Sequence, residues 1–330
     1  MSRPSQSPVD VPRHADASMR PHRAPATPAP LVTIGLPVYN GEDYLEEALD
    51  GLLGQTFADF ELVISDNAST DRTAGICHTY AARDPRIRYV RQPTNLGAVA
   101  NHNLLVPLAR GRYFKWVGHD DLYAPELIER CVEALEAHPE AVLVNVWDGV
   151  VDEQGRTTTV PYPLDTANPS PHLRLRSLLN VNGGNDFYGL FRTESLRRIR
   201  PLGGYLHSDR AYMAELALNG PFHQVPEVLF HRRDHPNRTS HAGRASEVVA
   251  KLAPGRSGPL RDSPLRLYGE YVFGLFSAVL HAHIPVAERV RCLRELTAFF
   301  MTRLRPGVAR QVLTGAAPPA EAPVVTRPEP

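Results

Sequence analysis

The sequence predicts an α/β fold built on a mostly parallel, twisted sheet flanked by helices, and three observations carry that prediction. Short apolar runs and helical-period segments alternate four times in about 90 residues, the pattern of strands joined by crossover helices. The loops after the first, second and fourth apolar runs are polar and hold Tyr39, Asn40, Asp66, Asn67, Asp120 and Asp121. Right-handed crossovers bring those loops to one edge of the sheet, where open α/β sheets take their ligands. The chain is also long enough, at 330 residues, to bury a full core.

Residues 31–36 are apolar and read as a buried first strand, broken by Pro37-Val38-Tyr39-Asn40-Gly41. A helix follows from Glu42, with Tyr44, Leu45, Ala48, Leu49, Leu52 and Leu53 on one face. Residues 60–65 form the second strand, and Ser69 or Thr70 can cap the helix running through Ile76, Cys77 and Tyr80. Residues 87–90 are the third strand. A polar loop from Gln92 to Gly97 leads to a helix through Leu104, Leu105 and Leu108. Residues 113–117 are aromatic and β-branched, suit a pleated packed surface, and end at Gly118.

The second part of the chain is less regular. A helix is expected at 125–137 with Pro125 in its first turn, and a strand at 141–146. Residues 152–186 change to Gly, Thr, Pro and Asn, with one short helix after Ser170. A strand at 187–191, a helix at 209–218 closed by Gly220 and a strand at 228–232 complete the expected domain. The pattern between 242 and 264 is weak. Two amphipathic helices follow, carrying Tyr271, Val272, Leu275, Phe276, Val279 and Leu280, then Val290, Leu293, Leu296, Phe299 and Phe300. The domain plan is a Pro-rich disordered tail at 1–30, a main domain at 31–241 divided at 121/122, a linker and C-terminal helical appendage at 242–315, and a second tail at 316–330.

Composition removes several classes of function. Basic and acidic residues balance at 36 each and the arginines are scattered, so no field marks the chain for nucleic acid. Cys77, Cys131 and Cys292 are far apart, which argues against a disulfide framework or a cysteine zinc site and fits a reducing, cytoplasmic compartment. No run reaches the roughly 18 apolar residues of a spanning helix. Gly-x-Gly-x-x-Gly, Gly-Lys-Ser/Thr and Gly-x-Ser-x-Gly are all missing, which disfavours a dinucleotide site, a P-loop and the simplest hydrolase. What remains is an edge of carboxylates, amides and a tyrosine. Adjacent Asp120 and Asp121 repel unless a cation lies between them, and a hard divalent ion bridging a diphosphate is the natural occupant. A metal-bound diphosphate is a leaving group, so displacement at the carbon bearing it is the expected chemistry. The alternative is that Asp121 caps the helix near Pro125.

A resemblance sharpens this reading. Thr33-Ile34-Gly35-Leu36-Pro37-Val38-Tyr39-Asn40-Gly41-Glu42-Asp43-Tyr44-Leu45, Gln55-Thr56-Phe57 and Ser65-Asp66-Asn67-Ala68-Ser69-Thr70-Asp71 resemble the opening of a family 2 glycosyltransferase. Asn95-Leu96-Gly97, Asn101, Ala109-Arg110-Gly111 and Tyr113 continue the pattern in order. The likeness is dense from 31 to 121 and thins out to about 241. It implies a glycosyltransferase-A fold, an inverting reaction, a nucleotide-sugar donor (UDP sugars most often) and a divalent cation, Mg²⁺ or Mn²⁺. By position it implies Pro37, Tyr39, Asn40, Glu42, Asp66, Asn67, Asn95, Gly97, His119 and Asp120 as nucleotide-sugar contacts, with Asp66 at the base. Asp121 is the implied metal ligand, with Asp120 and His235 as further candidates. His119 departs from the usual Asp at the first position of the acidic motif. The family's base lies in an acidic pair at a helix start; Ser208-Asp209 takes that place here, so Asp209 is the implied base, the alternative being that it only caps its helix. Arg232 and His235 match a loop near the diphosphate, and Trp147 is a candidate acceptor platform.

The acceptor on this reading is a glycan, a lipid-linked or a small-molecule hydroxyl. The C-terminal helices could pack on the core, form a homodimer or contact a membrane peripherally. Two further functions belong to other classes. A sugar-nucleotide nucleotidyltransferase shares the sheet and metal site but wants a Gly-rich basic first loop, which Pro37-Val38-Tyr39-Asn40 is not. A non-catalytic nucleotide-sugar-binding module would tolerate His119 and Ser208.

Overall fold

A computed structural model describes residues 29–159, 165–180, 185–236, 245–256 and 263–303. The expected tails lie outside these residues except for 29 and 30, and so does the boundary expected at 241/242. The first four strands and their crossovers are β1 (Val32–Val38), α1 (Leu45–Leu53), β2 (Phe60–Asp66), α2 (Thr73–Arg83), β3 (Ile87–Arg91), α3 (Ala98–Leu108) and β4 (Tyr113–Trp116). Then come β5 (Leu122–Tyr123), α4 (Leu127–Ala137), β6 (Leu143–Val151), β7 (Thr157–Thr159), α5 (Pro171–Asn180), β8 (Leu190–Arg192), α6 (Thr193–Arg198), α7 (Ser208–Asn219) and β9 (Phe222–Arg233). The chain continues through α8 (Ala245–Leu252), α9 (Pro264–His281) and α10 (Val286–Arg303).

All described strands join one nine-stranded sheet in the order β3-β2-β1-β4-β8-β6-β9-β5, with β7 beside β6. The β3-β2-β1-β4 part is parallel, as the alternation of the sequence requires. β8 inserts antiparallel between β4 and β6 and joins the two halves of the sheet. One core lies on the α1, α2 and α4 face, around Leu45, Leu49, Leu52, Ile76, Leu127 and Ile128. The other lies on the α3, α6 and α7 face, where Trp116 stacks on Phe187 at 4.7 Å between ring centres.

Four details differ from the sequence reading, each for a local reason. β9 starts at Phe222, six residues earlier than expected, because Pro226 and Glu227 break the apolar pattern. The ladder absorbs them as an irregularity: Val225 pairs with Val146, but Val228 already pairs with Trp147. The expected strand at 187–191 is a 3₁₀ turn (Asn185–Tyr188) followed by the short β8. Pro125 precedes α4 rather than opening it, and its carbonyl accepts from Thr56 N at 2.9 Å. Neither Ser69 nor Thr70 caps α2; Asp71 Oδ1 accepts from Thr73 N at 3.0 Å instead.

The C-terminal helices pack on the domain. Tyr271, Leu275, Val279, Cys292 and Leu296 form a third apolar cluster with Leu175, Leu179, Ala211, Ala214 and Leu218 of α5 and α7. Among the described residues no helix is long and apolar enough to cross a membrane, and all three cysteines are free and buried.

Candidate active site

A cavity of about 1140 Å³ opens at the carboxyl ends of β1, β2 and β4, at the edge where the strand pattern placed the polar loops. Its floor on the first side is a set of mutually pinned loops. Asn40 takes a left-handed conformation at φ 50°. Its N–H donates to Ser69 Oγ at 2.9 Å, and its side-chain oxygen accepts from Thr70 N at 2.8 Å. Gly41 N donates to Thr73 Oγ1 at 2.9 Å. Asn67 donates to the Asn95 side chain at 2.8 Å and accepts from Leu96 N at 2.9 Å. Ser69 and Thr70 are thus spent on the neighbouring loop, which is why they leave the helix cap to Asp71. Pro37, Tyr39, Asn40, Asn67 and Asn95 all line the cavity, and Tyr39 stands 43% exposed at its mouth.

The acidic loop after β4 forms the next wall. A Cβ on Gly118 would fall 2.6 Å from Asp121 Oδ2 and 2.8 Å from Asp120 Oδ1, so both carboxylates converge over a residue that must lack a side chain. The end of β9 braces them. Arg233 N donates to Asp121 Oδ1 at 3.2 Å, and Arg233 Nε donates to the Asp120 carbonyl at 3.1 Å. His235 Nε2 lies 3.0 Å from Asp120 Oδ2, and its ring packs 4.9 Å from that of Tyr44. His119 lies over Gly41, where a Cβ would meet its ring at 2.5 Å.

Electrostatics favour an ionised Asp120 beside a histidine whose protonation burial opposes. Burial pushes the His119 pKa down, Asp120 opposes it, and the neighbouring His235 adds to the fall. Burial would raise Asp120, but His119 and the hydrogen bond from His235 hold its carboxyl below the usual range. Two converging carboxylates are oxygen ligands of the kind a hard divalent cation takes. His235 Nδ1 is buried with no hydrogen-bond partner among the described residues. No group of three or more His, Cys, Asp or Glu among those residues is arranged to hold a metal. A cation held by this pair would take its remaining ligands from a substrate's oxygens and water.

The far wall comes from the second half of the sheet. Asp209 sits in the first turn of α7, where a carboxylate is favoured by the helix dipole, and it lines the cavity. Among the described residues its carboxylate makes no hydrogen bond or ion pair. His207 precedes it in a left-handed conformation at φ 59°. Phe187 and Tyr188, from the turn before β8, line the same space.

Not every expected site residue reaches the cavity. Glu42 accepts from Arg72 N and Nε at 3.1 and 3.0 Å and lies outside the lining. Asp66 is fully buried, accepting from Ser69 N and the Tyr89 hydroxyl at 2.8 and 2.7 Å; it holds the loop from beneath. Arg232 donates to Asp148 at 2.8 Å, and neither it nor Trp147 lines the cavity. Gly97 borders the lining through its neighbours Asn95 and Ala98. The sequence reading missed Tyr44, His102, Leu206, His207 and the whole of α8, whose Val248, Lys251 and Leu252 face the cavity. For α8 the available signal was Val248, Val249 and Leu252 at helical spacing, short and isolated between Gly- and Pro-containing stretches.

The sheet edge thus brings a convergent carboxylate pair and a helix-borne aspartate to one cavity. The glycosyl transferase family 2 profile matches residues 33–200, just over half of the chain, and the chain belongs to that family. It is 27% identical over 219 residues to chondroitin synthase of Escherichia coli, an alignment covering 64% of this chain and 30% of that protein. It is 38% identical over 107 residues to the uncharacterized glycosyltransferase EpsJ of Bacillus subtilis, covering 32% of this chain and 31% of EpsJ. Each of these alignments spans about a third of the relative's length. Among solved structures, S. aureus TarS 1-349 superposes with a TM-score of 0.61 at 19% identity, covering 83% of this chain and 72% of that one. At that identity the likeness is one of fold, and the fold is the glycosyltransferase-A architecture.

Proposed function

We propose that the chain is a metal-dependent inverting glycosyltransferase. It moves a sugar from a nucleotide-diphosphate donor, in the first instance a UDP sugar, to a hydroxyl of a glycan, lipid-linked or small-molecule acceptor. The observation that carries the reading is the convergence of Asp120 and Asp121 over Gly118 in the cavity that also receives Asp209. Asp121 and Asp120 would hold Mg²⁺ or Mn²⁺, with His235 orienting Asp120. A bound cation supplies charge neutralisation to the departing diphosphate. Tyr39, Asn40, Asn67 and Asn95 shape the nucleotide end of the cavity. Asp209 takes the proton from the acceptor hydroxyl as that oxygen attacks the anomeric carbon, and the bond to the diphosphate oxygen breaks.

The test is a screen of nucleotide sugars, with and without Mn²⁺, for a raised unfolding temperature, since a ligand of the native state stabilises it. UDP-GlcNAc, with which TarS was crystallised, is the first to try. A metal-dependent rise, followed by transfer or slow hydrolysis of the same donor, supports the reading. Pyrophosphate release from a nucleoside triphosphate and a sugar phosphate would make the protein a nucleotidyltransferase instead. Binding with neither transfer nor hydrolysis would make it a binding module.

A further inference from the structure

The chain carries two lysines, Lys115 and Lys251. Lys115 is buried in β4, where its ammonium donates to the Tyr188 carbonyl. Lys251 lies in the last turn of α8 and lines the cavity. No other Lys or Arg lines it among the described residues, whereas Asp43, Asp120, Asp121 and Asp209 all do. A diphosphate entering such a space meets carboxylates on several sides. A cation between Asp120 and Asp121 answers only part of that charge.

The seat of α8 is specific. Gly97 adopts φ +86°, and a Cβ there would fall 2.5 Å from Pro254 Cδ and 2.7 Å from the Leu252 carbonyl oxygen. Residue 97 is therefore bare for two reasons, its backbone conformation and the close approach of the end of α8. The contact sets the last turn of α8 against the loop that carries Asn95. Lys251 is exposed and makes no ion pair with any described residue. Its compact charge suits a phosphate oxygen.

We propose that Lys251 is a donor-binding residue that contacts a phosphate of the nucleoside diphosphate, and that α8 is the strap that carries it there. This rests on the glycosyltransferase reading above. The strap supplies from a remote part of the chain the permanent positive charge that the other described cavity-lining residues lack.

The two-lysine composition makes the test clean. The full chain is treated with a lysine-acylating reagent with and without saturating UDP or GDP plus Mn²⁺, and modification is followed by mass spectrometry. Nucleotide should slow acylation at Lys251 several-fold and leave the N-terminal amine unchanged. In parallel, Lys251→Ala should weaken UDP or GDP binding by about ten-fold, the size of one charge-assisted contact, and Lys251→Arg should restore most of it. Binding of the parent nucleoside, which has no phosphate, should be equal in all three proteins. Equal diphosphate affinity in the native chain and Lys251→Ala, or acylation indifferent to bound nucleotide, overturns this inference and leaves the functional reading standing. A native chain that binds no nucleoside diphosphate overturns both.

Discussion

The two halves of the sheet bring side chains to the cavity in different ways. In the β1–β4 half the loops hold one another through contacts one crossover apart. Asn40 and Ser69 are separated by 29 residues, Asn67 and Asn95 by 28. In the β6–β9 half the contributions are remote. His235 reaches Asp120 across 115 residues, and Arg233 reaches Asp121 across 112. The first half is a scaffold of satisfied polar groups. The second brings to the cavity Asp209, whose carboxylate makes no hydrogen bond or ion pair with a described residue, and the side chains that brace the acidic loop. On the proposed function the first half would be the bed for the nucleotide and Asp209 the base facing it.

The sharpest way to test that division is to remove one carboxylate from each half. Asp209→Asn should lower transfer by about 10³-fold, within the range for loss of a general base, and leave donor binding unchanged. Asp121→Asn should abolish transfer to a similar degree and also erase the metal-dependent part of donor binding. Measured donor affinities, with and without Mn²⁺, separate the two variants. Full activity in Asp209→Asn removes it as the base; metal-independent donor binding in the native chain removes the role assigned to Asp121.

A smaller effect is expected at a buried acid of the second half. Asp186 lies in the turn before β8 and accepts from Asn145 Nδ2 at 2.8 Å. Burial pushes its pKa up to about 7 and Asp148 adds to the rise, against the Asn145 hydrogen bond and Arg210. In the unfolded chain the same carboxyl titrates near 3.8. Between those values the folded state holds the extra proton, so stability from this group is complete below about pH 4 and is lost as pH rises through about 7. Asp186→Asn should therefore match the native chain at pH 4 and exceed it at pH 8 in urea unfolding. A native-to-variant difference that is constant across that range would show that Asp186 is ionised in the fold.

These contrasts explain what the sequence disclosed. The parallel strands, their crossovers and the shared edge were legible because each element is closed by neighbours within one βα unit. The Asp120-Asp121 pair and Asp209 were legible through ordered motifs, and both face one cavity. The place of Glu42 outside the lining was not, because its side chain is captured by Arg72, a contact that depends on how two loops fold onto each other. Arg232 looked available on a polar loop, yet β6 presents Asp148 beside it. The early start of β9 was hidden because Pro226 and Glu227 are tolerated only where the ladder slips. α8 is eight residues long, and only its contact with Gly97 shows why it stands over the cavity.

The last prediction concerns a motif whose meaning is structural. Glu61 is 2% exposed in β2 and joins three strands' worth of chain. It accepts from Thr33 Oγ1 at 2.8 Å, from Arg110 N at 3.0 Å and from Arg110 Nε at 2.8 Å. Gly111 N donates to the same Thr33 hydroxyl at 2.8 Å, and a Cβ on Gly111 would fall 2.5 Å from Thr33 N. Ala109-Arg110-Gly111 is thus a staple that docks β4 against β1 and β2, far from the chemistry. Burial would raise the Glu61 pKa, but its bonds to Arg110 and Thr33, with Arg88 nearby, hold it below the usual range. The stabilisation is present above the ordinary carboxylate pKa and is lost as pH falls through the depressed value. Because Arg110 is about half exposed, Glu61→Gln should cost only about 1–2 kcal/mol at pH 7, less than a fully enclosed ion pair would. The cost should shrink toward pH 3, and the KM for the donor should not move. A changed donor KM in a variant that is folded and stable at the assay temperature would mean that the staple also sets the shape of the nucleotide bed, and the separation between scaffold and site would fail at that point.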